Sequence, residues 1–299
     1  MKLSVIVISY DMAREVPRTL QSLSRSYQTI GRDLDYEVLV VDNGSPEPLD
    51  PASWAHVDVP AEFIYVQDAP PTIVPAINMA LDRARGEVIC LMVDGAHLLT
   101  PGVFEWALAS YRAFDNPVVA TRYFWLGPDS QNESIKDGYN KAVEDSNLQK
   151  IDWPNAGYRL FEIGVPLRST PGPTHWFNRM FESNCLFLKR QHFLDIGGAD
   201  ERFDLPGGGF INTDLFKQSI DAPGVDAVQL MGEGSFHQLH GGLTTSVSRK
   251  ERDAKIESYF VQYEQIRGNR EIITENEFKY MGHLPTEASR IYRNIYQKP

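Results

Sequence analysis

The amino-acid sequence predicts an α/β fold with a doubly wound, mainly parallel sheet and helices on both of its faces. Short apolar segments rich in β-branched residues, typical of strands buried on both faces, alternate with helical patterns along the first 123 residues. This β-α-β order favours parallel strands joined by crossover helices. The chain has 299 residues, enough for one large domain or two fused halves.

Five strands and three helices are predicted in the first part of the chain. The strands cover residues 3–9, 37–41, 63–66, 88–93 and 118–122, and the helices cover residues 13–26, 73–85 and 101–114. We expect Gly86 to be the C′ glycine of the second helix. We expect Thr100 to cap the third helix, with Pro101 at its first position.

The second part of the chain has a weaker pattern. Residues 124–174 are polar, with scattered tryptophans and prolines, and are predicted to be rich in loops. The pattern then predicts strands at residues 182–188 and 225–231 and helices at residues 190–196 and from residue 212. A loop rich in glycine and histidine is predicted over residues 232–248, and mostly helical structure beyond residue 249.

Charge, cysteine content and hydropathy exclude several classes of protein. The net charge of −11 argues against a broad nucleic-acid-binding surface, which needs clustered lysine and arginine. Cys90 and Cys185 lie in apolar stretches and are predicted to be buried free thiols, which fits a cytoplasmic location. No apolar run reaches the length of about 18 residues that a membrane span requires, so none is predicted.

Polar residues follow three of the predicted strands, where open α/β sheets bind their ligands. These positions are residues 9–11, 42–45 and 94–97. Asp42 has the chemistry to accept hydrogen bonds from a base or a ribose, or to cap its own turn. Asp94 and His97 have the chemistry to hold a divalent cation or to contact a ribose, although His97 also fits a half-buried structural histidine.

Three common nucleotide and hydrolase motifs are absent from the sequence. There is no Gly-x-Gly-x-x-Gly after the first strand, no Gly-x-x-x-x-Gly-Lys-Ser/Thr and no Gly-x-Ser-x-Gly. Their absence argues against a dinucleotide-binding Rossmann enzyme, a P-loop NTPase and an α/β-hydrolase. A nucleotidyltransferase is also disfavoured, because residues 10–13 do not supply a glycine-rich basic loop after the first strand.

Four segments, in order, resemble family 2 glycosyltransferases with the GT-A fold: LSVIVISYD at residues 3–11, EVLVVDNGS at 37–45, ARGEVI at 84–89 and DIGGADERF at 195–203. The resemblance spans roughly residues 1–245. It implies a nucleotide-sugar-binding half at residues 1–123, an acceptor-binding and catalytic half of the same domain at 124–248, and a C-terminal helical extension at 249–299. It further implies a nucleoside-diphosphate sugar donor and a saccharide or other hydroxyl acceptor. The helical register of the extension predicts docking on the main domain or on the partner of a homodimer.

The resemblance assigns the donor site to the strand ends. Ser9, Tyr10 and Asp42 match the positions at which the family holds the nucleobase. The full set of predicted nucleotide-sugar-binding residues is Ser9, Tyr10, Asp11, Asp42, Asn78, Asp94 and Gly95.

The family's Asp-x-Asp metal motif is altered in this sequence. Counted back from Pro101, its first aspartate matches Asp94, whereas the metal-binding aspartate falls on Ala96. We therefore expect a divalent metal, Mn²⁺ or Mg²⁺, to be held by Asp94 and His97, with His237 or His240 closing the site from the glycine-rich loop. The alternative for each of the two later histidines is a hydrogen bond to the loop backbone. The same loop is predicted to close over the donor.

The family's catalytic base falls on Asn212, whose amide cannot accept a proton. The nearest carboxylate is Asp214, which we expect to act as the base of an inverting transfer, with Glu182 in reserve. The alternative role of Asp214 is to stabilise the first helical turn. Asn212 also resembles a motif of the retaining polypeptide N-acetylgalactosaminyltransferases. A retaining transferase and an inactive nucleotide-sugar-binding protein therefore remain alternatives.

Four aromatic side chains are candidates for stacking on sugar rings in the acceptor groove, with core or interface packing as the alternative. They are Trp125, Trp153, Trp176 and Phe177.

Overall fold

The computed structural model of the protein describes residues 2–167, 176–242 and 249–289. Its strands form one mixed sheet. They are Leu3–Ser9 (β1), Tyr36–Asp42 (β2), Ala61–Tyr65 (β3), Val88–Met92 (β4), His97–Leu99 (β5), Pro117–Leu126 (β6), Gly164–Pro166 (β7), Leu186–Lys189 (β8), Asp226–His237 (β9) and Lys279–Gly282 (β10).

The helices lie on both faces of this sheet and along its edges. They are Glu15–Ser22 (α1), Val74–Arg83 (α2), Val103–Ala113 (α3), Gln131–Lys136 (α4), Lys141–Lys150 (α5), Leu160–Ile163 (α6), Arg190–Asp195 (α7), Ile211–Asp221 (α8) and Arg249–Arg267 (α9). Short 3₁₀ turns occur at Pro51–Trp54, Gly157–Arg159 and Pro206–Gly208.

The strand order is β10-β9-β6-β8-β4-β1-β2-β3, with β5 paired to β9 and β7 to β6. Strands β1 to β4 are mutually parallel, and β6, β9 and β10 are parallel to one another. Strand β8 lies antiparallel between β4 and β6, so the two parallel groups run in the same direction. This arrangement confirms the predicted doubly wound, mainly parallel sheet.

The central strands are apolar along their whole length because both faces of the sheet are covered. Val5 and Val7 of β1 belong to a core that includes Leu20 of α1 and Phe104 of α3. Ile6, on the opposite face, belongs to a second core with residues of α2 and α8. A strand that is buried on both faces has no polar alternation, which is why its sequence predicted it so clearly.

Two predicted helix boundaries are wrong. Helix α3 begins at Val103 with Gly102 as its N-cap, because the Thr100 hydroxyl donates instead to the Glu233 carboxylate of β9. Gly86 is not a C′ glycine, since α2 ends at Arg83. A Cβ at Gly86 would lie 2.5 Å from the backbone nitrogen of Ser4, so this glycine permits close contact with β1.

The expected loop-rich region contains helices α4 and α5. Helix α5 is capped by Asn140, whose side chain accepts hydrogen bonds from the backbone N–H groups of Ala142 and Val143. Only Glu144 and Leu148 of this helix are buried. A helix with so few apolar residues has no apolar periodicity, and it was therefore not predicted from the sequence. Residues 168–175 of the predicted region lie outside the described residues.

Strand β9 is longer than predicted and continues to His237. It pairs with β6 on one side and with β5 on the other, where His97 is registered with His237. The predicted loop over residues 232–248 therefore begins only after His237, and its residues 243–248 lie outside the described part. The strand pairing fixes His237 on the sheet and not on a lid.

The C-terminal segment is an integral part of the sheet. Strand β10 pairs with β9 in parallel, and Lys279 forms an ion pair with Asp226 at 2.5 Å. The segment is therefore not only helical, and residues 290–299 of the predicted extension lie outside the described residues. The predicted division at residues 123 and 124 falls within β6. Within the described ranges, no helix combines the length and apolar character needed to cross a bilayer.

Candidate functional site

A cleft of about 630 Å³ opens at the carboxyl ends of β1 and β4. Its wall on one side is the glycine-rich turn before α8, where Gly207 and Gly209 have φ of 70° and 57°, values that favour glycine. The side chains and loops that line it come from the ends of six strands and from the start of α8. They include Ser9, Tyr10, Asn43, Gly44, Asp94, Tyr123, Trp125, Glu182, Asn184, Asn212, His237 and His240.

A second, larger cavity of about 800 Å³ lies beside α5. It is lined by Gly127, Tyr139, Val143, Asn147 and Glu162 among others. None of the predicted site residues lies in it, so the smaller cleft is the candidate site.

Three of the predicted metal ligands come together at the edge of the cleft. The Asp94 Oδ2 atom lies 3.2 Å from the Nε2 atoms of both His237 and His240, and these two nitrogens are 2.9 Å apart. Two ligands at right angles around a cation, with bonds of about 2.1 Å, lie about 3 Å from each other. The three atoms therefore have the spacing of one face of an octahedral metal site, and they are the group of potential metal ligands found among the described residues.

The backbone around Asp94 holds its carboxylate in this position. Its Oδ1 atom accepts a hydrogen bond of 2.8 Å from the Ala96 N–H, which leaves Oδ2 for the histidines. The Asn184 side chain accepts from the Asp94 N–H at 2.8 Å and donates to the Asp94 carbonyl at 2.7 Å. Asn184 was not predicted from the sequence, because the antiparallel pairing of β8 with β4 brings it beside Asp94 only in the folded structure.

The protonation of the cluster follows from burial and from its mutual charges. Burial raises the pKa of the Asp94 carboxyl, but the charges and hydrogen bonds of the two histidines prevail and hold that pKa well below its usual range. Burial lowers the pKa of His237 below its ordinary value, whereas the Asp94 charge raises that of His240 despite burial. A carboxylate beside one neutral imidazole is a pair of good ligands for a divalent cation.

The structure removes His97 from the predicted metal ligands. The residue lies on β5 and is fully buried, with its Nδ1 atom 2.8 Å from the Ser235 hydroxyl. Its ring contacts His237 edge-on, at 5.0 Å between centroids. Because β5 and β9 pair at these two histidines, His97 packs against a ligand of the cluster and does not reach its centre.

Asp42 does not face the cleft. Its Oδ1 atom accepts hydrogen bonds from the Ser45 N–H at 2.9 Å and the Ser45 hydroxyl at 2.5 Å, and its Oδ2 atom accepts from the Leu49 N–H at 3.0 Å. The buried carboxylate thus caps its own turn, which is the alternative left open for it. The next two residues, Asn43 and Gly44, line the cleft instead.

The other predicted donor-site residues divide into two groups. Ser9 and Tyr10 line the cleft, and the Tyr10 side chain is 52% exposed. Asp11, Asn78 and Gly95 do not line it. Asp11 has a φ of 53° and its N–H donates to Ser45, whereas the Asn78 amide both donates to and accepts from the Ala199 backbone at 2.9 Å.

Gly95 has a structural role beneath the cleft. Its carbonyl accepts a hydrogen bond of 2.6 Å from the Thr19 hydroxyl of α1. A Cβ at Gly95 would lie 2.8 Å from the Ile8 carbonyl oxygen, so a side chain would push β1 from the turn that follows β4.

The structure also removes Asp214 from the candidate bases. Its side chain is 2% exposed and forms a two-point ion pair with Arg267 of α9, at 2.8 Å and 2.7 Å. Asp214 does not line the cleft, and a carboxylate engaged in this way is not free to accept a proton from an acceptor. The sequence could not show this pairing, because the partner lies 53 residues further along the chain.

Glu182, the reserve candidate, lies in the cleft beside Asn212. The Asn212 side-chain amide donates a hydrogen bond of 2.9 Å to the Glu182 Oε2 atom. Burial raises the pKa of the Glu182 carboxyl to about 7, with the Asn212 hydrogen bond opposing the shift and the Asp94 charge adding to it. A carboxyl group with a pKa near 7 is suited to proton transfer at neutral pH.

The cleft has an aromatic wall. The Tyr123 ring stacks on His237 at 5.7 Å, and Trp125 meets both rings edge-on, at 4.8 Å and 5.0 Å. Trp125 is only partly buried and lines the cleft, so it is available to a sugar ring. Trp176 is fully buried against Phe124 and has a packing role. The partly buried Trp153 packs on Tyr27, and Phe177 is exposed.

The comparisons with known proteins agree with this geometry. Residues 4–150 match the family model for glycosyl transferase family 2. No curated protein matches the chain significantly. The match and the fold together support the prediction of a glycosyltransferase with the GT-A fold.

Several solved structures are similar to this chain in fold. TarS from S. aureus has a TM-score of 0.54 at 13% identity, over 99% of this chain and 43% of its own length. Its residues 1–349 in complex with UDP-GlcNAc give a TM-score of 0.53 at 14% identity, over 99% of this chain and 72% of that one. Glucosyl-3-phosphoglycerate synthase from Mycobacterium tuberculosis, in complex with Mg²⁺ and UDP, gives 0.52 at 13% identity, over 90% and 80%. The chain thus spans less than half the length of full TarS.

Proposed function

Because residues 4–150 form a glycosyl transferase family 2 region within a GT-A fold, we propose that this protein transfers a sugar from a nucleoside-diphosphate sugar to an acceptor hydroxyl. The observation that carries the proposal is the cluster of Asp94, His237 and His240 at the edge of a cleft that also contains Glu182. The cluster supplies a site for the cation that a leaving diphosphate needs, and Glu182 supplies a base.

We propose a uridine diphosphate sugar as the donor class. The solved structures with the same fold include complexes with UDP and UDP-GlcNAc. In this chain the nucleoside end of the cleft is formed by Tyr10, Asn43 and Gly44, and the exposed Tyr10 ring is available for stacking on a base. Asp42 contributes indirectly, by holding the turn that carries the last two residues.

The residues present fit a divalent cation. Asp94, His237 and His240 would hold it, and the two imidazoles favour Mn²⁺ over Mg²⁺, which prefers oxygen ligands. Among the described residues, no lysine or arginine side chain lines the cleft, so the cation is the source of positive charge there. When bound, it neutralises charge that develops on the leaving diphosphate.

The protein's own residues carry the proton transfer. We assign Glu182 as the base of an inverting reaction. The acceptor oxygen attacks the anomeric carbon, the bond from that carbon to the diphosphate oxygen breaks with its electron pair going to the diphosphate, and the acceptor proton passes to Glu182. Asn212 donates a hydrogen bond to Oε2 and so orients the carboxylate, while Trp125 offers a face for the sugar ring.

Retaining transfer is the second candidate, favoured by one observation. Asn212 occupies the place at which the inverting family has its base, and an amide cannot accept the proton. The anomeric configuration of the product, measured by NMR before mutarotation, separates the two. An inverted product supports the assignment of Glu182, and a retained product contradicts it.

The first experiment is a thermal-shift panel of UDP, GDP, dTDP and CMP, each with and without Mn²⁺. A ligand at about 100 times its dissociation constant stabilises the folded state by roughly 2.7 kcal/mol. We expect UDP to raise the melting temperature, and to do so more strongly with Mn²⁺. An effect of UDP without any effect of Mn²⁺ would refute the metal site. The absence of any nucleotide effect would refute the donor site itself.

Turnover distinguishes the enzyme from an inactive nucleotide-sugar-binding protein. We expect release of UDP from a UDP-sugar, slowly to water and faster with a saccharide acceptor. An Asp94→Asn variant of a true enzyme loses this release. A wild-type protein that binds the donor and never releases UDP would be a binding protein. The predicted homodimer is tested separately by light scattering after gel filtration.

A further inference from the structure

Six charged side chains form a cluster beneath the segment that joins His237 to His240. Three come from the start of α1 and three from α5, and they balance in charge. The side chains of Glu15 and Glu144 are completely buried, whereas that of Asp145 is 46% exposed. The members are Arg14, Glu15, Arg18, Lys141, Glu144 and Asp145.

Arg14 is at the centre of the cluster. Its guanidinium contacts Glu15 at 2.9 Å, Glu144 at 3.1 Å and Asp145 at 2.6 Å. It thereby joins α5 to the beginning of α1. Buried carboxylates require such a partner, because an unpaired buried charge is strongly destabilising.

Two members of the cluster bind the backbone between the histidines. The Glu144 Oε2 atom accepts a hydrogen bond of 2.8 Å from the Leu239 N–H, and Arg14 donates to the Leu239 carbonyl at 3.3 Å. Both polar backbone groups of Leu239 are therefore held by this one ion pair.

Gln238, the residue before Leu239, is also held by α1. The Gln238 N–H donates to the Ala96 carbonyl at 2.7 Å, and its side chain donates to the Glu15 carbonyl at 3.2 Å and to the Thr19 hydroxyl at 3.2 Å. The two residues that separate the histidines are thus bonded to α1, to α5 and to the turn after β4.

These contacts determine the position of one ligand relative to the other. His237 is fixed by strand pairing, whereas His240 lies beyond the end of β9. The Gln131 side chain donates to the His240 carbonyl at 3.5 Å, and the intervening backbone of Gln238 and Leu239 connects His240 to the strand. The 2.9 Å separation of the two Nε2 atoms depends on that backbone. Mutation of residues that orient metal ligands through hydrogen bonds commonly weakens metal binding about 10–100-fold.

We propose that Glu144, held by Arg14, is a positioning residue that sets His240 beside His237 and so forms the metal site. This role rests on the proposed function, and it makes the α5 helix, which the sequence pattern did not reveal, a support of the candidate active site. The contact acts through the Leu239 N–H, and Glu144 itself does not touch the ligand atoms.

The test uses the Glu144→Gln variant of the full chain, with Asp145→Asn as the matched control. Asp145 belongs to the same cluster and pairs with Arg14 and Arg18, whereas the Leu239 N–H donates to Glu144. Mn²⁺ alone is titrated by calorimetry, and backbone amide exchange of residues 236–242 is measured without metal. Glutamine has one side-chain oxygen for two donors, the Arg14 guanidinium and the Leu239 N–H, so one of the two contacts is lost. We expect Glu144→Gln to weaken Mn²⁺ binding about 10–100-fold and to speed the exchange of Leu239. Asp145→Asn leaves both within threefold.

Wild-type Mn²⁺ affinity and unchanged exchange in Glu144→Gln would overturn the proposal. If the wild-type protein binds no Mn²⁺, the metal part of the proposed function fails, and the exchange measurement alone decides the positioning role. Should Glu144→Gln not fold, Arg14→Lys replaces it, because lysine keeps the charge and loses the second donor. We expect that variant to weaken Mn²⁺ binding, and an unchanged affinity would again overturn the proposal.

Discussion

Replacement of Glu182 by glutamine removes the proposed base with little change of shape. In the wild-type protein the Asn212 side chain donates a hydrogen bond of 2.9 Å to Oε2. The glutamine side chain keeps an oxygen that can accept this hydrogen bond, but it cannot accept a proton. General base catalysis contributes about 10²–10⁴-fold to rate, so we expect kcat to fall by about that factor. The affinity for UDP should change little, because the proposed nucleoside contacts are made by other residues that line the cleft, Tyr10, Asn43 and Gly44.

The pH dependence of the wild-type enzyme follows from the same group. Because burial raises the pKa of Glu182 to about 7, the carboxyl is protonated and inactive as a base at lower pH. We expect kcat/KM to rise about tenfold for each pH unit up to pH 7 and then to level off, so that activity at pH 5 is about one hundredth of the maximum. The Asn212 hydrogen bond lowers this pKa, so Asn212→Ala should move the rise to higher pH.

The assay measures UDP released from a UDP-sugar between pH 5 and pH 9, together with UDP affinity at each pH. Thermal unfolding of each variant serves as the control for folding. Glu182 would not be the base if Glu182→Gln kept more than a tenth of wild-type kcat, or if the wild-type profile showed no rise near pH 7. A shift of the Asn212→Ala profile to lower pH would also contradict it.

Three further predictions test the rest of the site and its surroundings. Asp94→Asn should abolish the additional stabilisation that Mn²⁺ gives to the UDP complex, as seen by thermal shift, and an undiminished Mn²⁺ effect would refute the assignment. Burial raises the pKa of Glu233 to about 7, so its contribution to stability is present below pH 4.5 and is lost as pH rises through about 7. Glu233→Gln should therefore flatten the decrease in unfolding free energy between pH 5 and pH 8, by up to about 3 kcal/mol in urea titrations, and an unchanged slope would count against this pKa. Arg267→Ala leaves the buried Asp214 carboxylate unpaired and should cost about 3 kcal/mol of stability without loss of UDP affinity. Arg270→Ala, which removes only exposed ion pairs, should change stability far less. If Arg267→Ala lost UDP affinity at a temperature where it is folded, Asp214 would again be a candidate residue of the donor site.

The sequence by itself determined the fold class and much of the donor half. Strands β1, β2 and β4 were found within one or two residues of their ends, because a strand buried on both faces is apolar throughout and needs no partner to be identified. The resemblance to family 2 glycosyltransferases also predicted that Asp94 and the histidines of the later loop share one site, and the structure brings these side chains together. The strand predictions succeed because hydropathy and turn preferences are properties of short segments.

The sequence did not determine which side chains face the cleft. His97 is only three residues from Asp94, yet the pairing of β5 with β9 buries it behind His237. The position of α5 was likewise not predicted, since a polar helix has no periodic apolar face. Its buried Glu144 meets its partners, Arg14 and the Leu239 N–H, only in the folded structure.

Tertiary structure alone decided the roles of the carboxylates. Asp42, Asp214 and Glu182 are equivalent in a sequence as acids close to strand or helix ends. In the folded structure Asp42 caps a turn, Asp214 pairs with an arginine of α9, and Glu182 lies half-buried in the cleft beside Asn212. The chemistry of an acid depends on burial and on the charges around it, and these come from residues distant in the chain.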